Sequence, residues 1–226
     1  MSCEQQNLID LYDVLSKNYV ADDWWPGREN PFEVIVGAVL IQRTTWTNTT
    51  AVTDVLRQAC LLAPAAFHVA DQSWLEALIR PAGFYRAKTA TLKAFCSMLQ
   101  ERYAGDLSAL FDQPVPLIRA ALLSIRGIGD ETADAILVYA AGKPSFIVDA
   151  YTRRLLVRLG WIKGNESYLE IQQMFANALA PDAALFASFH ALFVQQGQAH
   201  CCLRPRCQGC PLLDGCGFAV QRKDVP

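Results

Sequence analysis

Apolar residues recur at helical spacing along almost the whole chain, and no segment alternates with period two for long enough to build a strand. Phe32, Ile35, Val36, Val39 and Leu40 form one such stripe. Val52, Val55, Leu56 and Ala59 form another, behind a cap-like Thr47–Asn48–Thr49. Thr132, Ala133, Ile136, Leu137 and Ala140 form a third, and Leu185, Phe186, Phe189, Leu192 and Phe193 a fourth. The pattern predicts an all-α protein. Turn signals fall at Pro81–Ala82–Gly83, Gly127–Ile128–Gly129, Gly142–Lys143–Pro144 and Gly160 to Gly164. There is no internal repeat, no low-complexity stretch and no linker marking a boundary. A chain of 226 residues, 52% hydrophobic and 19% charged, is long enough for one large domain or two intimate lobes with a real core.

From Arg204 onward the texture changes to Cys, Pro and Gly, too irregular to pack on apolar contacts. Cys201, Cys207, Cys210 and Cys216 stand there in the spacing C-x5-C-x2-C-x5-C. Four thiolates so placed can ligate zinc or a [4Fe–4S] cluster, and spacing alone does not separate the two. Cys202 and His200 are alternatives for the first ligand, with Cys201 favoured. Cys3, Cys60 and Cys96 sit in ordinary contexts and read as structural thiols. No basic segment followed by an apolar one opens the chain, and no apolar run is long enough to span a membrane. The expectation is a cytoplasmic protein, nucleoid-associated in a prokaryote, whose cysteines are ligands or core residues and not disulfides.

The formal net charge is -2 and the isoelectric point about 5.9, which weighs against a nucleic-acid partner if total charge decides. Basic side chains nevertheless gather in sequence at Arg80–Arg86–Lys88, Arg153–Arg154–Arg158 and Arg204–Arg206.

Two further motifs carry chemistry. In Leu122 to Leu137 a helix ends near Ile125, Gly127–Ile128–Gly129 turns, and a second helix opens. Glycines permit close approach of backbone to a ligand, and the N–H groups of such a turn and helix start suit an anion such as a DNA phosphate. Downstream, Phe146–Ile147–Val148–Asp149 places an acid at a helix start, where it is commonly only a cap. A phosphate-binding hairpin, then an aspartate, then four cysteines is the order that the endonuclease III-like superfamily of helix–hairpin–helix DNA glycosylases shows. The resemblance runs from about Pro31 to Cys216.

That resemblance implies a two-lobed fold: a six-helix barrel over residues 30–140, and a second lobe from residues 1–29 and 141–226 holding a [4Fe–4S] loop at 201–216. It implies that Asp149 is the catalytic carboxylate, that Cys201, Cys207, Cys210 and Cys216 hold the cluster, and that Gln42 fills the gap left by an everted base. Gly127, Gly129, Thr132, Arg204 and Arg206 are then DNA contacts. The expected partner is duplex DNA carrying a damaged base, bound by a monomer.

Glu131 departs from the family. Endonuclease III has there, two residues beyond the second hairpin glycine, the lysine that attacks the sugar as a Schiff-base nucleophile. A carboxylate forms no imine, so the expectation is base removal by water without strand cleavage. Adenine–8-oxoguanine glycosylases carry a glutamate where this chain has Ala38. A closer likeness is the 3-methyladenine DNA glycosylase III group, through Asp23–Trp24–Trp25–Pro26, Pro31 to Gln42, Arg80 to Tyr85 and Gly127 to Leu137. In that group Trp24, Trp25, Pro26 and Trp46 would wall the base pocket, and a cationic alkylated purine gains stacking and cation–π attraction from such a wall. That group includes a member without a cluster, so the four cysteines mark a different branch. Other lesions (uracil or thymine mismatches, oxidised pyrimidines), a non-catalytic damage-binding protein and a zinc-stabilised DNA-binding module are the competing readings.

Overall fold

The structure, a computed structural model, describes residues 3–22 and 24–223, leaving out the side chains of residues 3, 4 and 221–223. Asp23 of the tryptophan motif and the Cys3 side chain therefore lie outside the described residues. Among those described, every regular element is helical. In chain order they are α1 (Cys3–Ser16), α2 (Pro31–Leu40), α3 (Trp46–Gln58), α4 (Pro64–Val69), α5 (Gln72–Ile79), a single 3-10 turn (Arg80–Ala82), α6 (Tyr85–Tyr103), α7 (Leu107–Phe111), α8 (Val115–Leu123), α9 (Asp130–Tyr139), α10 (Ala150–Leu159), α11 (Tyr168–Ala178), α12 (Ala183–Ala199) and α13 (Gly217–Lys223).

The chain divides into two units, Trp25–Lys143 and Met1–Trp24 with Pro144–Pro226. The Trp25–Lys143 unit contains α2 to α9. Six of these helices have eight or more residues, while α4 and α7 have six and five, so two short helices accompany the six expected.

At its centre lies α2, in which every residue from Phe32 to Leu40 is buried. An apolar helix of this kind needs neighbours on all sides, and α3, α6 and α9 supply them. Asn30 starts it: the side-chain oxygen accepts from the Phe32 and Glu33 N–H groups, and Pro31 occupies the first turn. Helix α3 begins two to four residues earlier than its sequence suggests. Its cap is Thr45 rather than Thr47–Asn48–Thr49, because Thr45 is extended and accepts from the Asn48 N–H, which puts the three later residues inside the first turn.

The other unit is built around phenylalanine. Phe146 stacks on Phe175 with centroids 3.6 Å apart, and Phe186, Phe189 and Phe193 of α12 meet Phe146 edge-on. Leu8, Leu11 and Leu15 of α1 complete the same core, so the two ends of the chain share one hydrophobic interior. Helix α11 opens on a full capping box, Ser167 with Glu170. Helix α10 ends at Gly160 in the left-handed region, φ 82.

Candidate functional site

The hairpin joins α8 to α9 through Ser124 to Gly129. Gly127 has φ 100, and a Cβ there would collide with Thr91 Oγ1, so the turn itself requires glycine. Gly129 differs. Its backbone is extended, and a Cβ added to it would meet nothing within 4 Å. The protein gives no internal reason for glycine there. Gly129 also contributes no side-chain cap, leaving the start of α9 open at an exposed turn. Glu131 is exposed in that first turn, and Thr132 is buried behind it.

Gln42 lies in the turn between α2 and α3. Its side-chain nitrogen donates to Gly127 O and to Thr132 Oγ1, both at 3.0 Å. Arg43, next to it, takes φ 55, and Phe84 takes φ 47. Both are rare conformations for side chains of that size. The two meet, with the Arg43 guanidinium 5.8 Å from the Phe84 ring centre, and the ring is 63% exposed.

Of the four predicted pocket residues, Trp25, Pro26 and Trp46 line one cavity in this unit. Trp25 is 5% exposed. It stacks on Tyr139 at 4.7 Å and meets Trp46 edge-on at 5.0 Å. Trp25 is thus a core residue that also contributes a wall. Trp24 is half-buried and falls in the other unit. The sequence did not point to Glu33, which is buried in the first turn of α2, lines the same cavity and pairs with Arg57 of α3.

Asp149 caps α10: Oδ1 accepts from the Thr152 N–H at 2.6 Å. It is both the commonplace helix cap and a buried carboxylate, 7% exposed. Its Oδ2 faces Nε2 of His190, on α12, at 3.7 Å. Burial pushes the His190 pKa down, against the opposing pull of the Asp149 charge. Nothing in the sequence flagged His190, a lone histidine on an apolar helix.

Cys201, Cys207, Cys210 and Cys216 line a single cavity. Among the described residues, no group of three or more His, Cys, Asp or Glu side chains is gathered so as to hold one metal ion. Two sulfurs receive N–H groups: Arg158 Nη1 donates to Cys201 Sγ and Gln196 Nε2 to Cys210 Sγ, each at 3.2 Å. Tyr19 in turn donates to Gln196 Oε1 at 2.8 Å. Such donors suit thiolate sulfur and hold its neighbours in place.

Part of the basic runs serves the fold, while Arg80 and Arg86 are exposed. Arg154 donates to Cys201 O, and Arg158 to Cys202 O and Leu203 O, while Arg153 holds Glu166 O. Lys88 is buried. Arg204 and Arg206 are exposed, with Arg206 also donating to Gln198 O.

Residues 36–181 match the family described as HhH-GPD superfamily base excision DNA repair protein. The chain belongs to the HhH-GPD superfamily. The match spans the hairpin and Asp149 and stops before α12. Within this superfamily of base excision repair DNA glycosylases, a putative DNA repair glycosylase of Methanocaldococcus jannaschii is 39% identical over 210 residues, covering 92% of this chain and 95% of that protein. A trapped endonuclease III–DNA covalent intermediate superposes with a TM-score of 0.82 at 28% identity, covering 99% of this chain and 100% of that one. An H. pylori 3-methyladenine DNA glycosylase bound to 1,N6-ethenoadenine superposes with a TM-score of 0.71 at 28% identity, over 86% of this chain and 95% of that one. The HhH-GPD fold is thus the fold of endonuclease III. No described helix is long and apolar enough to cross a membrane.

Proposed function

We propose that this HhH-GPD glycosylase binds damaged duplex DNA, everts an alkylated purine such as 3-methyladenine, and hydrolyses its N-glycosidic bond without cutting the strand. The observation that carries this reading is the cavity walled by Trp25, Pro26 and Trp46, where Glu33 is paired with Arg57. Aromatic faces favour a positively charged base through stacking and cation–π attraction. Such a base is already an activated leaving group, so no strong general acid is required of the protein.

Asp149 is the carboxylate for the sugar. Bond cleavage builds positive charge on the deoxyribose, and a fixed anion stabilises it and orients or deprotonates the attacking water. The Thr152 N–H holds one oxygen, and His190 faces the other. The hairpin backbone at Gly127 and Gly129 receives a phosphate; the missing side chain at Gly129 is then explained by what approaches from outside. Gln42 fills the vacated space, and Arg204 and Arg206 contact the backbone electrostatically. Glu131 forms no imine, so the enzyme is monofunctional.

The four cysteines would hold a [4Fe–4S] cluster, whose contribution is to order the irregular loop from Cys201 to Cys216. The fit rests on four sulfurs around one cavity and on N–H groups aimed at two of them.

The test is base release from a duplex carrying one 3-methyladenine, with and without alkali, for the wild type and Asp149→Asn. Release by the wild type, breaks only after alkali and loss in the variant support the reading. Release from uracil or thymine mismatches alone would transfer the reading to another base, and breaks without alkali would overturn the role given to Glu131.

A further inference from the structure

Lys88 is a lysine 3% exposed inside the Trp25–Lys143 unit. A buried ammonium is costly unless its donors are used. Here Nζ donates to Leu40 O and to Ala82 O, each at 2.8 Å. Those carbonyls are not arbitrary. Leu40 is the last residue of α2, directly before Ile41, Gln42 and Arg43. Ala82 ends the 3-10 turn, directly before Gly83 and Phe84. One side chain therefore fixes the roots of two turns.

One helical turn further along α6, Thr91 Oγ1 donates to Arg126 O at 2.9 Å. That carbonyl belongs to the hairpin, and Thr91 also occupies the space that a side chain on Gly127 would need. Positions three apart on a helix share a face, so Lys88 and Thr91 tie three turns to one rigid helix. The turns are joined at their outer ends as well, by Gln42 to the hairpin and by Arg43 to Phe84. Arg43 and Phe84 hold left-handed backbones, a strain that persists only where the surroundings fix it.

We propose that Lys88 and Thr91 are positioning residues for base eversion, holding the Gln42–Arg43 turn, the Gly83–Phe84 turn and the hairpin as one pre-formed surface that enters DNA as a unit. The inference rests on the proposed DNA role of Gln42 and the hairpin. Its physical basis is preorganisation: turns ordered before binding add no ordering entropy at the moment a base must leave the stack.

The test uses the full-length protein with its native metal content and a duplex bearing a tetrahydrofuran abasic analogue opposite 2-aminopurine. This probe reports entry into the duplex whatever lesion the enzyme prefers. Wild type should raise 2-aminopurine fluorescence on binding. Lys88→Met should lower the rate of that rise at least about tenfold, with affinity for undamaged duplex within about twofold. Thr91→Val, which removes a hydrogen bond and no charge, should lower it less, and it decides the matter if Lys88→Met does not fold. Variants that enter DNA at the wild-type rate, or that lose affinity for undamaged duplex in proportion, overturn the proposal. No fluorescence rise with wild type, despite duplex binding, overturns the wedge reading itself and this inference with it.

Discussion

Asp149 Oδ2 lies 3.7 Å from His190 Nε2, and both side chains are buried. The other Asp149 oxygen accepts from the first turn of α10. The carboxylate is thus hydrogen-bonded to α10 and faced by α12 within one unit, and its capping role and the chemical role proposed for it can be separated by substitution.

Asn caps a helix about as well as Asp. Asp149→Asn should therefore keep its melting temperature within a few degrees of wild type, since the cap contributes only about 1 kcal/mol even when lost altogether. Single-turnover base release should fall by about 100-fold or more. A variant that melts early would assign Asp149 to folding before chemistry.

His190 gives the protein an acid-side sensitivity. Unfolded, it takes a proton near pH 6.5; folded, burial holds its pKa lower. The unfolded state then binds more protons below about pH 6.5, so this contribution to stability is complete above that pH and is lost as pH falls toward the folded value. Each unit of separation corresponds to about 1.4 kcal/mol. Thermal unfolding at about pH 7.5 and pH 5 should show a larger drop for wild type than for His190→Gln. Parallel drops would show that His190 does not titrate in this range.

The two cavity tryptophans should behave differently. Trp25 is nearly inaccessible and stacked on Tyr139, so Trp25→Ala should cost about 3–5 kcal/mol in denaturant unfolding. Trp46 is only half-buried. Trp46→Ala should spare most of the stability while raising KM for an alkylated duplex. Equal losses of stability would make both core residues only.

Glu131 is exposed in the first turn of α9, at the position proposed to match the endonuclease III nucleophile. Glu131→Lys should acquire borohydride-trappable adducts with abasic DNA, while wild type gives none. Trapping by wild type would point to another amine in the chain.

Losing one cysteine should loosen the terminal loop. Cys207→Ser should lose visible iron–sulfur absorption and become protease-sensitive between Cys201 and Cys216, with weaker, less salt-dependent DNA binding. Zinc in the purified protein, without colour, would replace the cluster by a single-ion site.

What the sequence made legible was local. The hairpin glycines, the cap at Asp149 and the apolar stripes of α2, α9 and α12 are patterns within a few residues, and the structure forms those helices there. The sequence erred where a cap depends on backbone angles, as at Thr45. It also erred where charge was counted along the chain: Lys88 turns inward to two carbonyls, and Arg154 and Arg158 serve the cysteine loop. Lys88 and Leu40 are 48 residues apart, and Glu33 and Arg57 are 24 apart. His190 reaches Asp149 only because α12 packs on α10. No periodicity encodes such meetings.

Helix α10 starts at the Asp149 cap, and its later turns carry Arg154 and Arg158, which grip Cys201. Its ten residues span about 15 Å. The helix is a ruler between the carboxylate and the cysteine loop. Substitutions along its outer face leave that length unchanged. Deleting a single residue would turn the two arginines about 100° away from Cys201, so this stretch should accept changes of letter far more readily than changes of length.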